Sequence, residues 1–255
     1  MPERTEYPAG MPNWVDLQTT DVDAAKAFYA GLFGWSYEDL AVAPGEGSFY
    51  SLAQIDGKDV AAIAPMPPGS DGIPTHWNSY VSVPDLEATL GLVEGAGGMV
   101  VMAPFDVMDA GRMAIIQDPT GAMINVWQAK NHAGAALVND PNMWSWNELL
   151  TPDVPKAGEF YAKVFGWTLH PVPDGSYTEF KLNGDSIAGA QNPPMPFIPP
   201  AWTVYFAVDD TDAMIERIKA GGGALFAGPI DIPIGRLAVA ADPQGGMFNV
   251  IKFNR

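Results

Sequence analysis

The chain states its plan twice. "WVDLQTTDVDAAKAFYAGLFGW" (Trp14–Trp35) returns as "WNELLTPDVPKAGEFYAKVFGW" (Trp146–Trp167) at an offset of 132 residues. "YSLAQIDGKDVAA" from Tyr50 returns from Tyr177 as "YTEFKLNGDSIAG" at 127, and "WNSYVSVPD" from Trp77 returns from Trp202 as "WTVYFAVDD" at 125. "GRMAIIQDPTGAMINV" from Gly111 returns from Gly235 as "GRLAVAADPQGGMFNV" at 124. Order is kept and the offset drifts only through small loop deletions, so the two halves must share one fold.

Each half divides again. A short strand at Trp14–Leu17 leads through Thr20, a candidate N-cap, into a helix whose Ala24, Phe28 and Leu32 share a face and which Gly34 stops. Strands follow around Tyr37, at Phe49–Ile55 and at Val60–Ala64, with "IDGKD" as a hairpin turn. The plan then repeats: a strand at Trp77–Val83, a helix from about Asp85 to Glu94, and strands at Val100–Pro104, Arg112–Gln117 and Ala122–Gln128. Asp118-Pro119-x-Gly121 is turn chemistry between the last two. The expected fold is α+β, with four βαβββ units in two tandem domains, 1–128 and 143–255, around a linker 129–142. The Pro-rich seams "PMPPGSDGIP" and "PPMPFIPP" read as stiff spacers, and Met195 and Phe197 in the second leave a lid over a pocket open.

Composition narrows the function classes. Thirteen basic against 30 acidic residues give a formal charge of −17, which argues against nucleic acid and anionic membrane surfaces as partners. With no Cys there is no thiolate metal site and no cysteine nucleophile. No apolar run reaches the roughly 20 residues of a membrane helix, and the N-terminal stretch has no signal-like apolar core. The expected location is the cytoplasm.

The paired βαβββ units, the "FYaxlFGW" helix end and "DPxGaxxxv" before a last strand resemble the vicinal oxygen chelate superfamily. That group includes glyoxalase I, bleomycin-resistance proteins and extradiol dioxygenases. The resemblance implies sheets curled into bowls, a site on each concave face, and a family dimer fused into one chain, so that a monomer is possible. It also implies divalent-metal ligands on the first and last strands of the units. Those positions fall here on Trp14 and Trp146, near Asn78 and Thr203, on Asn125 and Asn249, and in apolar "VAAIA" and "IAGAQ". Tryptophan cannot replace imidazole, and a transition metal needs three or four good donors. The expected cofactor is therefore none, with a divalent metal as the alternative.

Strand alternation puts Trp14 with Asp16, and Trp144 and Trp146 with Glu148, on faces that line the bowls, together with Asn125 and Trp127, and with Asn249. Arg112 and Arg236 repeat and can anchor a ligand carboxylate, or pair with Asp16 or Glu148. Of the three histidines none repeats; His76 shares parity with Asn78 and is the one metal candidate, with Glu148 as a partner. No nucleophile elbow, phosphate loop or Rossmann fingerprint appears.

Two functions compete. The first is metal-free binding of an aromatic or drug-like molecule, as in antibiotic resistance by sequestration. The second is a glyoxalase-like lyase or isomerase, or a dioxygenase-related enzyme, on a small oxygenated substrate. A metal-independent variant with Asp16 or Glu148 as general base lies between them. A purely structural module has no support in the residues.

Overall fold

A computed structural model of the chain describes residues 3–41, 49–70 and 72–254. The first half forms β1 (Pro12–Thr19), α1 (Val22–Phe33), β2 (Ser36–Ala41), β3 (Phe49–Ile55) and β4 (Lys58–Pro65), then β5 (His76–Ser82), α2 (Leu86–Val93), β6 (Met99–Val107), β7 (Gly111–Gln117) and β8 (Met123–Ala129). The second half repeats this as β9 (Trp144–Leu150), α3 (Val154–Phe165), β10 (Thr168–Pro171), β11 (Thr178–Leu182) and β12 (Asp185–Gln191). It continues with β13 (Ala201–Ala207), α4 (Thr211–Ala220), β14 (Ala224–Ile232), β15 (Gly235–Ala241) and β16 (Met247–Phe253). The result is two mixed eight-stranded sheets of identical plan, β2-β3-β4-β1-β5-β8-β7-β6 and β10-β11-β12-β9-β13-β16-β15-β14. Four βαβββ units are present, and neither sheet closes on itself.

Local chemistry sets the helix ends. Asp21, not Thr20, caps α1: its Oδ1 accepts from the Ala24 amide at 3.0 Å, while Thr19 Oγ1 accepts from the Asp21 amide. An ionised carboxylate answers the positive helix end better than a hydroxyl. Gly34 ends the helix in the left-handed region at φ +73°, where a Cβ would be strained.

The halves are interlocked by exchange. α1 packs beside α4 and α3 beside α2, so each half's first helix meets the other half's second. Trp35 Nε1 donates to the Asn142 carbonyl at 2.8 Å, and its repeat Trp167 donates to the Gly10 carbonyl at 2.6 Å. Gly10 (φ +80°) has no room for a Cβ, which would meet the Phe165 carbonyl oxygen at 2.6 Å. One core cluster joins Tyr29, Phe33 and Trp35 to Phe206 and Phe248, and the other joins Tyr161, Phe165 and Trp167 to Ile116 and Ile124. Tyr29 and Tyr161 seat these aromatics against the helix side of each sheet, and the first cluster also runs through to Trp14, Tyr80 and Trp127 on the opposite face and to Ala135 and Val138 beyond it.

One face assignment changes. The pairing of β13 with β9 shifts register between Tyr205 and Phe206, so Trp144 pairs with Phe206 and joins the core beside it. A bulge resets the alternation that the sequence implies. Trp144 is therefore not a neighbour of Glu148 on the concave face.

Candidate functional site

On the concave face of the first sheet the centre is a carboxylate. Asp16 is 2% exposed. Its Oδ2 accepts from the Tyr80 hydroxyl at 2.7 Å and the Tyr50 hydroxyl at 2.9 Å, and its Oδ1 accepts from Asn78 Nδ2 at 2.9 Å. Trp14 Nε1 in turn donates to the Tyr50 oxygen at 2.8 Å. Register explains the cluster: Asp16 pairs with Asn78 and Trp14 with Tyr80 across β1 and β5.

The second sheet rebuilds the same cluster from different parts. Glu148, 5% exposed, accepts at Oε1 from Gln191 Nε2 at 2.8 Å and from the Tyr205 hydroxyl at 3.0 Å, with the Tyr177 hydroxyl as a further donor. Trp146 Nε1 donates to Tyr177 at 2.9 Å. Thr203 stands where Asn78 stands but is too short, and its hydroxyl turns to the Glu148 carbonyl at 3.4 Å. The missing amide comes instead from Gln191 on the strand at the other side. Two phenols and one amide thus hold a carboxylate in each sheet.

These donors are all neutral. Burial pushes the Asp16 and Glu148 carboxyls up from their ordinary range, and the hydrogen bonds, with a smaller pull on Asp16 from the nearby His76, take back only part of that shift. Burial and the adjacent carboxylates raise Tyr50, Tyr80, Tyr177 and Tyr205, so the phenols stay protonated as donors. Such a carboxyl can accept or release a proton nearer neutrality than a free one.

The other expected site residues separate into three groups. Asn125 lies beside Tyr80, with which its side chain hydrogen-bonds, and Asn249 donates to Thr203 Oγ1 at 3.3 Å and to the Val204 carbonyl at 3.2 Å. Both amides have protein partners, so neither requires a bound molecule to satisfy it. Arg112 and Arg236 leave the bowl. Met113 and Ile115 pair with Trp127 and Asn125, so Arg112 takes the opposite, helix-covered face; Arg236 does the same beside Leu237 and Ile251. Arg112 pairs with Glu87 at 2.7 Å and Arg236 with Asp212 at 2.9 Å, not with Asp16 or Glu148. His76 stays on the concave face, its Nδ1 donating to the Pro74 carbonyl at 2.8 Å, but Glu148 belongs to the other sheet.

A chelate does not fit this donor set. Trp14 and Trp146 offer no lone pair, and the oxygens of Asp16 are already met by three donors. No group of three or more His, Cys, Asp or Glu among the described residues is placed to hold a metal ion.

Sequence reasoning missed the four tyrosines, Gln191 and His132. The tyrosines had a signal: Tyr50 with Tyr177 and Tyr80 with Tyr205 repeat at the offsets of their motifs. Gln191 replaces Ala64 and His132 lies in the linker, so neither repeats.

Residues 12–126 and 142–250 match the sequence profile of the Glyoxalase/Bleomycin resistance protein/Dioxygenase superfamily. The chain belongs to this superfamily. Within it, "Putative glyoxylase CFP32" of Mycobacterium tuberculosis is 50% identical over 257 residues, covering 99% of this chain and 98% of that one. "Anthracycline biosynthesis protein DnrV" of Streptomyces peucetius is 37% identical over 265 residues, covering 97% and 95%. Among solved structures, the Mn(II)-bound glyoxalase from Novosphingobium aromaticivorans superposes with a TM-score of 0.67 at 19% identity, covering 96% of this chain and 82% of that chain. The 2,3-dioxygenase LapB from Pseudomonas sp. KL28 gives 0.68 at 14%, covering 96% and 92%. At these identities the structures establish the superfamily fold alone. No helix of the described residues is long and apolar enough to cross a membrane.

Proposed function

We propose that this superfamily member binds a flat aromatic small molecule on a concave sheet face, without a chelated metal, in the cytoplasm. The observation that carries this reading is the tryptophan on each first strand, where the family resemblance implies a metal ligand, hydrogen-bonded through a tyrosine to a buried carboxylate. An indole is a stacking surface, and a few fixed polar groups around it orient a ligand. The carboxylates and the net charge of −17 favour a neutral or cationic ligand over an anion. The names of the relatives in anthracycline biosynthesis fit an aromatic ligand. Binding of this kind supports either sequestration of a drug-like compound or its presentation to another reaction.

A second reading rests on the raised carboxyls. Asp16 or Glu148 would act as general base on a small oxygenated substrate, a reading in line with the name of the glyoxylase relative. A panel of neutral and cationic flat aromatics, an anthracycline among them, tests the first reading by tryptophan quenching and thermal shift. Saturable quenching with a raised Tm supports it. No response across the panel, together with turnover of a 2-oxoaldehyde–thiol adduct that Glu148→Gln abolishes, replaces it with the second.

A further inference from the structure

The two concave faces are not equivalent, although their strands are. Among the eight tryptophans, all of them in described residues, seven are buried and Trp146 alone is partly open. Its repeat Trp14 is 3% exposed. The cover is the linker. The His132 imidazole stands edge-on to Trp14 with ring centroids 4.6 Å apart, and contacts Trp127 at 6.2 Å.

The segment that carries His132 is fastened at several points. Trp127 Nε1 donates to the His132 carbonyl at 2.8 Å and Asn13 Nδ2 to the Ala133 carbonyl at 2.8 Å. The Ala135 amide donates to the Asn13 carbonyl at 2.9 Å, and the Tyr7 hydroxyl to the Ala135 carbonyl at 2.6 Å. Gly134 crosses Asn13 so closely that a Cβ there would collide with its carbonyl oxygen. In the second half these fastenings are replaced. Ile251 stands for Trp127 and Ser145 for Asn13; isoleucine has no donor, and the Ser145 hydroxyl turns to the Tyr205 carbonyl at 3.2 Å.

We infer that the chain has one ligand site, over Trp146 and Glu148. Residues 132–135 are a built-in plug whose imidazole occupies, against Trp14, the place that an aromatic ring of the ligand takes against Trp146. This rests on the binding reading above for its ligand, but not for the plug itself. The edge-to-face approach of His132 is among the favoured geometries of aromatic pairs, so the plugged face shows the kind of contact the open face can make. Both faces carry a tyrosine and a carboxylate beside the indole, but only at the open face, with Tyr177 and Glu148, are they left to a planar ring bearing a donor or a cationic nitrogen.

Two measurements separate the plug from the ligand. Limited oxidation of the folded protein with N-bromosuccinimide, mapped by peptide mass, should modify Trp146 first and spare Trp14. In His132→Ala both should react. Equal reaction of both in the wild type overturns the plug, whatever binds. Calorimetric titration with 9-aminoacridine, a flat aromatic cation, should give one equivalent per chain. Trp146→Phe should weaken this at least tenfold, and His132→Ala should add a second equivalent. Two equivalents in the wild type, or one that survives Trp146→Ala, overturns the single site. If 9-aminoacridine and the whole aromatic panel fail to bind while Trp146 alone oxidises, the plug stands and the binding reading falls.

Discussion

The Tyr29 hydroxyl donates to Asp242 Oδ2 at 3.1 Å across the two halves of the chain, and its repeat Tyr161 donates to Asp118 Oδ2 at 2.9 Å. Each phenol also accepts an indole N–H, from Trp77 at 3.0 Å and from Trp202 at 2.8 Å. Each aspartate is at the same time the hub of its own turn: Asp118 Oδ1 accepts from the amides of Thr120, Gly121 and Ala122. Tyrosine from the helix motif of one half thus closes the turn motif of the other. The two most recognisable pieces of the repeat are fold devices that lock the halves together.

Tyr29→Phe should therefore destabilise the protein while leaving the sites unchanged. It leaves a buried carboxylate oxygen and an indole N–H short of a partner, at a cost of about 1–3 kcal/mol. Tyr161→Phe should cost a similar amount. The check is urea unfolding of each single variant. A change below ~0.5 kcal/mol in both would show that the cross-half bonds contribute nothing.

Trp14 and Trp146 should part company on truncation. Trp14 is buried between Tyr50 and His132, so Trp14→Ala should cost about 3–5 kcal/mol of stability. Trp146 is partly open, and Trp146→Ala should cost distinctly less while abolishing aromatic binding. Thermal melts with and without ligand distinguish the two. Equal losses of stability would remove the difference between the faces.

The raised carboxyls set a pH dependence. In the folded state Asp16 and Glu148 hold their protons to higher pH than an unfolded carboxyl near ~4. The folded form binds more protons in that window, so stability is full below about pH 4 and is lost as pH rises through the folded values. In Asp16→Asn the Asp16 share of this loss is absent, while that of Glu148 remains in both proteins and cancels. The stability of the variant relative to wild type should therefore climb with pH from 4 upward, whatever fixed offset the new amide introduces. A flat difference between the two curves would show that Asp16 titrates normally.

His132 has the opposite sign. Burial lowers its pKa, against a smaller pull from Asp59, whose Oδ2 lies 3.8 Å away. Its contribution is present above the unfolded value of about 6.5 and is lost as pH falls through the folded one. His132→Phe, which keeps a ring but cannot titrate, should gain stability relative to wild type between pH 7 and 5. No gain over that range would mean the plug tolerates protonation.

Metal content follows from the donor set. Protein purified without chelators should hold far less than one equivalent of Ni, Zn, Fe or Mn by elemental analysis. One equivalent that survives dialysis would show that the side chains rearrange into a chelate.

The sequence by itself determined the duplication, the βαβββ order and the paired tryptophans Trp14 and Trp146 on the first strands, because repeats and strand alternation are local in the chain; that these stand at chelating positions is what the family resemblance implies. Asp16 and Glu148 were legible as concave-face carboxylates for the same reason. Their surroundings were not. Gln191 reaches Glu148 from a neighbouring strand where the first half uses Asn78, a substitution visible only once register sets the strands side by side. A one-residue bulge moved Trp144 into the core, and strand register turned Arg112 and Arg236 to their helix-side partners Glu87 and Asp212. Only the tertiary structure showed that His132 covers Trp14, because that contact joins residues 118 positions apart through a linker with no periodic pattern to betray it. Pattern sets which face a residue takes wherever no bulge interrupts the alternation; which face stays open is decided by what the rest of the chain lays over it.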